Sequence, residues 1–103
     1  MELNLYKKRK LELSIKGKKE NNFLIFDNII YDIENNILIR EDNEFKYIMD
    51  FKNKEVNIEL KDYGKSLNMD IKIIKMELNL KKHLIIYSIE SDDLIENKLE
   101  ILF

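Results

Sequence analysis

The chain has no cysteine, proline, alanine, threonine, glutamine or tryptophan, and only two glycines and one histidine among its 103 residues. Without cysteine there is no disulfide framework, no thiolate nucleophile and no zinc–thiolate centre. Without alanine the strongest helix former is gone, while β-branched isoleucine is abundant, which favours strands. No apolar run approaches the ~20 residues of a membrane-spanning helix; the longest are Phe23-Leu24-Ile25-Phe26 and Leu84-Ile85-Ile86-Tyr87. Met1-Glu2-Leu3-Asn4 lacks the basic-then-apolar order of a signal peptide, so a soluble, cytoplasmic protein with no membrane association is expected. An excess of one charge is also missing. With 18 basic and 20 acidic side chains, the chain has little of the positive field that a dedicated nucleic-acid binder carries, and nucleic acid is not the expected partner.

What is present is a globular balance, 45% hydrophobic and 37% charged, in a length that suits one domain spanning residues 1–103. Period-two alternation recurs along it. Leu11, Leu13 and Ile15 alternate with charged neighbours, and Gly17-Lys18-Lys19-Glu20-Asn21-Asn22 reads as a turn or loop. Phe23-Leu24-Ile25-Phe26 reads as a short buried strand. Ile29-Ile30-Tyr31-Asp32-Ile33 and Ile37-Leu38-Ile39-Arg40 form a hairpin about Glu34-Asn35-Asn36. Phe45, Tyr47, Met49 and Phe51 alternate without error, as do Val56, Ile58 and Leu60. After Asp62-Tyr63-Gly64 the apolar phase is odd through Leu67, Met69, Ile71 and Ile73, then even through Ile74, Met76, Leu78 and Leu80. A one-residue slip reverses the faces unless an extra residue is absorbed, so a β-bulge that bends the strand is predicted at Ile73-Ile74. Lys81-Lys82 and Ser91-Asp92-Asp93 bound two final strands. Short connections throughout permit antiparallel neighbours only. The expected fold is therefore all-β, an antiparallel up-and-down meander of about eight strands closed into a barrel, which removes exposed edges.

Leu38-Ile39-Arg40, Met49-x-Phe51, Tyr63-Gly64-x-x-Leu67-x-Met69, Ile86-Tyr87 and Glu96-Asn97-x-Leu99-x-Ile101 follow one another in a familiar order. Their spacing resembles the YwiB-like family of small bacterial proteins, a domain of unknown function with a calycin-like (lipocalin-type) β-barrel. Ser14-Ile15-Lys16-Gly17 resembles that family's opening strand. The resemblance covers residues 36–103, and the first third more loosely; Lys61-Asp62 stands where the family tends to have Thr-Pro. It implies a calycin-like fold and no particular activity.

Candidate chemistry is sparse. His83 has no nucleophile or orienting partner at a telling spacing, and its place after Lys81-Lys82 suggests a solvated residue at a strand end rather than a haem ligand or general base. The carboxylates are scattered through turns, and Asp92-Asp93 lacks further oxygen ligands for a cation. No catalytic residue, metal site or cofactor is therefore assigned. Arg40, one of two arginines, ends an apolar strand, where its planar fork suits a carboxylate at a barrel mouth, or alternatively a structural pair with Glu59 or Asp50. Arg40, Tyr63 and Tyr87 are the candidate ligand contacts of a non-enzymatic module for a small apolar or amphipathic molecule, or for a protein partner. The alternative is an RNA-associated module using Tyr6, Lys7, Lys8, Arg9 and Lys10, binding through phosphates; the competing reading of that run is a charged strand that keeps an edge soluble. Small inward residues are scarce and the inward candidates Phe45, Tyr47, Met49, Phe51, Leu67, Met69 and Ile71 are large. A mostly filled barrel is expected, with at most a narrow pocket at one mouth.

Overall fold

A computed structural model describes residues 1–90 and 92–103, the side chains of 92–94 excepted. Eleven strands are present, rather than about eight: β1 (Glu2–Lys7), β2 (Lys10–Lys16), β3 (Lys18–Glu20), β4 (Phe23–Phe26), β5 (Ile29–Asp32), β6 (Ile37–Glu41), β7 (Phe45–Asp50), β8 (Glu55–Leu60), β9 (Lys65–Leu78), β10 (Lys82–Ile89) and β11 (Asp92–Leu102). A 3-10 turn, Lys61–Tyr63, separates β8 from β9. The two strands that alternation did not mark are β1 and β3. β3 has no apolar residue, so no periodicity could mark it, and β1 is held by pairing on both sides with β2 and β11.

The strand order is β2-β1-β11-β10-β9-β8-β7-β6-β5-β4-β3, with every pair antiparallel. The N-terminal strand pairs with the C-terminal one, so each neighbour in space is a neighbour in sequence once β1 and β11 are joined. The two ends of the order, β2 and β3, are consecutive in the chain and separated only by Gly17. The result is a nearly closed antiparallel barrel.

Two bent strands make its corners. In β9, residues 65–70 pair with β8 and residues 71–78 pair with β10. Ile73 lies opposite Tyr87 and Lys75 opposite Ile86, leaving Ile74 unmatched. This is the bulge expected from the phase slip, and it lies within the half that pairs with β10, beyond the change of partner at Asp70-Ile71. The other corner is Lys16-Gly17-Lys18. A Cβ on Gly17 would collide with the Ile25 carbonyl oxygen and the Phe26 ring, so only glycine lets the chain pass this close.

With no proline and few glycines, short polar side chains make many of the turns. Asp32, Asp42 and Asn79 each accept two backbone N–H bonds through Oδ1 from residues two and three further on. Asn21, Asp27 and Asn36 take positive φ, as do Lys8, Arg9 and Lys54. The scattered carboxylates are thus largely turn-makers. Ser91 and the Asp92-Asp93 carboxylates, expected to mark a turn, lie outside the described residues.

Thirteen hydrophobic side chains form the core, among them Leu3, Phe26, Ile29, Tyr31, Phe51, Ile85 and Ile101. They come from alternate positions of strands on both sides of the barrel, as period-two burial requires. Leu67, an expected inward residue, is 54% exposed because it precedes the corner and no second sheet covers it.

Candidate functional site

The two ends of the barrel differ in filling. At one end Tyr31 from β5, Asn36 from the following turn and His83 from β10 are all buried. Asn36 Nδ2 donates to Tyr31 Oη at 2.8 Å. Tyr31 Oη and His83 Nδ1 share a second hydrogen bond, 2.8 Å long. Burial holds the His83 imidazole below its ordinary value. Burial, opposed by the Asn36 hydrogen bond and aided by Asp32, pushes the Tyr31 hydroxyl up to about 12. The rings of Tyr31 and Phe103 meet His83 edge-on, with centroids 5.7 and 5.0 Å away. The expectation of a solvated His83 is corrected. The signal was legible, because His83 shares the inward parity of Ile85 and Tyr87.

The opposite end is open. A cavity of about 400 Å³ lies between the two sides of the barrel. Leu5 of β1, Leu13 of β2, Leu38 of β6, Met49 of β7 and Ile89 of β10 supply its apolar lining. Tyr47, Tyr87, Asn97 and Arg40 add polar groups, and Tyr6, Lys7, Glu12 and Asp42 complete its lining. The cavity lies at one mouth, where at most a narrow pocket was expected, and it is larger than that. Phe45 and Tyr47, two positions apart on β7, stack on each other with centroids 5.9 Å apart.

Of the residues singled out for ligand contact, Arg40 and Tyr87 are brought to this cavity together. Arg40 is exposed, with no ion pair among the described residues, so pairing with Glu59 or Asp50 is not found. Its guanidinium acts on Tyr87 and Asp42, lowering the pKa of each as a minor effect. Tyr87 is buried, and burial pushes its hydroxyl up to about 12. Its Oη has one contact, a weak bond to Met49 Sδ at 3.6 Å, so most of its hydrogen-bonding capacity is unspent. Asp42 is already committed to the backbone N–H groups of Phe45 and Glu44, which hold its carboxyl below the usual range. Tyr63 is not brought to the cavity. It sits on the 3-10 turn and is 76% exposed. That turn is at the same end of the barrel, since Lys61 Nζ donates to the Asp42 carbonyl at 2.7 Å, but the tyrosine ring lies in solvent. Tyr47 and Asn97 are cavity residues that sequence reasoning missed. Tyr47 was read only as a filler, and Asn97 only as part of a motif.

The basic run spans the end of β1, the hairpin turn and the start of β2. Lys8 and Arg9 are the turn of the β1–β2 hairpin, at φ 52° and 65°. Arg9 Nε lies 3.7 Å from Glu96 Oε2. Lys7 lines the cavity while Lys10 is exposed at the start of β2. The Tyr6 ring has the Lys98 ammonium 4.0 Å from its centroid, so one stacking face is already occupied by a cation.

Among the described residues, no group of three or more His, Asp or Glu side chains is placed to hold a metal ion. No helix is long and apolar enough to cross a membrane. No family model matches the chain, and neither the curated proteins nor the solved structures compared with it include a match.

Proposed function

We propose that this protein is a non-enzymatic binding module that takes a small amphipathic molecule with an anionic or hydrogen-bond-accepting head into the open end of its barrel. One observation carries this reading: a cavity of about 400 Å³ with Leu5, Leu13, Leu38, Met49 and Ile89 in its wall, beside which the Arg40 guanidinium has no ion pair among the described residues and the Tyr87 hydroxyl only a weak bond to sulfur. The volume falls in the range of about 300–1,000 Å³ typical of small-molecule sites, which pair apolar walls with a few polar groups that fix orientation. The apolar part of a ligand gains by covering Leu5, Leu13, Leu38 and Ile89. The head gains from an arginine that need not leave another partner to bind it. A calycin-like assignment belongs to the same proposal. It is supported by the sequential antiparallel order, by the pairing of the first strand with the last, and by the collinear motifs ending at Ile101. A cytoplasmic setting fits a chain without cysteine.

The test is native mass spectrometry and titration calorimetry with decanoate and decanol as probes. Wild-type protein should bind decanoate with one-to-one stoichiometry and decanol more weakly. Arg40→Ala should weaken decanoate binding about tenfold, the loss of one charge-assisted contact, and leave decanol binding unchanged. Absence of binding by either probe would sink the reading.

A further inference from the structure

A different part of the molecule, independent of the cavity, carries a second conclusion. The C-terminal half of β9 is a strand edge. Residues 71–78 pair with β10 on one side. On the other side β8 stops pairing at Asp70, and the last bond there is from Ile71 N to the Lys54 carbonyl, 2.8 Å. Beyond Ile71 no strand among the described residues pairs with that edge. Lys72, Lys75 and Glu77 are exposed, and Ile74 and Leu78 are 53% and 42% exposed. An edge of this length, with apolar side chains, is a template for another strand.

We propose that the occupant is the same edge of a second copy, giving a two-fold symmetric dimer in which residues 74–78 of β9 pair antiparallel with their own counterparts, centred on Met76. The register follows from symmetry and charge. In an isologous pairing that extends the sheet with its inner face on one side, paired residues share a face, so the axis must pass through a residue. Centring on Lys75 or on Glu77 sets a charge against itself. Centring on Ile74 gives a match of the same length, 72–76, but sets Lys75 against Ile73 and Lys72 against Met76, with no attractive charge pair. Centring on Met76 sets Lys75 against Glu77 twice and Ile74 against Leu78 twice. Both charge pairs are then attractive, and both half-exposed apolar side chains gain cover.

The free edge of β2, at one end of the strand order, does not offer the same match. Self-pairing of β2 about Leu13 would set Lys10 against Lys16 at both ends, and like charges directly opposite are destabilising.

The experiment is a charge swap read by sedimentation velocity across a concentration series, with far-UV circular dichroism confirming the fold. Lys75→Glu and Glu77→Lys are both at exposed positions, and each converts two attractive pairs into two repulsive ones. Wild type should pass from monomer to dimer as concentration rises. Each single variant should weaken the dimer at least about tenfold, and the double variant Lys75→Glu/Glu77→Lys should return it to within about threefold of wild type. A wild-type protein that stays monomeric at about millimolar concentration would overturn the proposal, and so would a dimer whose affinity ignores the single substitutions.

Discussion

The packed end and the open end of this barrel are built from the same strands by the same alternation, yet they do opposite things with polar groups. β10 shows it within one strand. His83 and Tyr87 both point inward from it and both are buried. His83 meets Tyr31 and, through it, Asn36, so its Nδ1 has a buried hydrogen-bond partner. Tyr87 meets only a thioether sulfur. A buried polar group with matched partners specifies a structure. One with spare capacity beside a cavity is available to a ligand. Polar satisfaction, more than residue type, separates framework from site in this molecule.

The largest expected effect separates the filled core from the cavity wall by stability. Phe26 is wholly buried and also walls the close approach at Gly17. Phe26→Ala should cost about 3–5 kcal/mol in urea unfolding, as a cavity opened in a full core does. Met49→Ala, a half-buried residue on the wall of an existing cavity, should cost only about 1 kcal/mol, because it opens little new void. Equal losses at the two positions would mean that the cavity wall is packed as tightly as the full core.

Next in size is the polar network. Tyr31→Phe removes one oxygen and leaves both Asn36 Nδ2 and His83 Nδ1 without their short partner, a loss of about 2–4 kcal/mol. Tyr31→Phe combined with His83→Leu removes both members of one bond, and the pair should cost less than the sum of the singles. Strict additivity would show that the hydroxyl and the imidazole act independently.

Much of this fold could be read from alternation alone. The bulge at Ile74 was legible because a phase slip has few other physical solutions. The corner at Gly17 was not, since its cause is the approach of Ile25 and Phe26 from another strand. β3 was illegible because Lys18-Lys19-Glu20 has no apolar member. Its pairing is dictated by the strand it continues. Of the site, Arg40 and Tyr87 stood out by rarity and parity. Tyr63 misled because it borders a motif-like turn, and a turn gives no information on where a ring points. The size of the cavity depends on how the two sides of the barrel pack against each other, a tertiary choice that residue volume does not reveal.

The pH dependence of stability sharpens the same comparison. The unfolded chain protonates His83 near its ordinary value of about 6.5, whereas burial lowers it in the fold. Below about 6.5 the unfolded state therefore binds more protons, so stability falls as pH drops through that window toward the lowered folded value. The Tyr31→Phe/His83→Leu variant should lack this decline. At the alkaline side Tyr31 and Tyr87 both titrate at about 12 in the fold, against about 10 when unfolded. Stability should fall as pH rises between these values, from both ends of the barrel together, and Tyr87→Phe should remove part of that limb. An alkaline limb unchanged by Tyr87→Phe would mean that the open end admits enough water to let this hydroxyl ionise normally.

The smallest effect is the most discriminating for the site. Ser88 sits beside Tyr87 on β10, is buried, and has an Oγ with no hydrogen-bond partner. Two adjacent hydroxyls are thus short of partners, but only Tyr87 lines the main cavity. Ser88→Ala should stabilise the fold by up to about 1 kcal/mol, because it removes an unpaid desolvation without opening a void, and it should leave decanoate binding unchanged. Tyr87→Phe should leave stability near neutral pH almost unaltered and weaken decanoate binding about threefold to tenfold, the worth of one hydrogen bond. If Ser88→Ala disturbs binding as much as Tyr87→Phe does, the unspent hydroxyl of Tyr87 is not what orients the ligand, and the distinction between the two ends rests on volume alone.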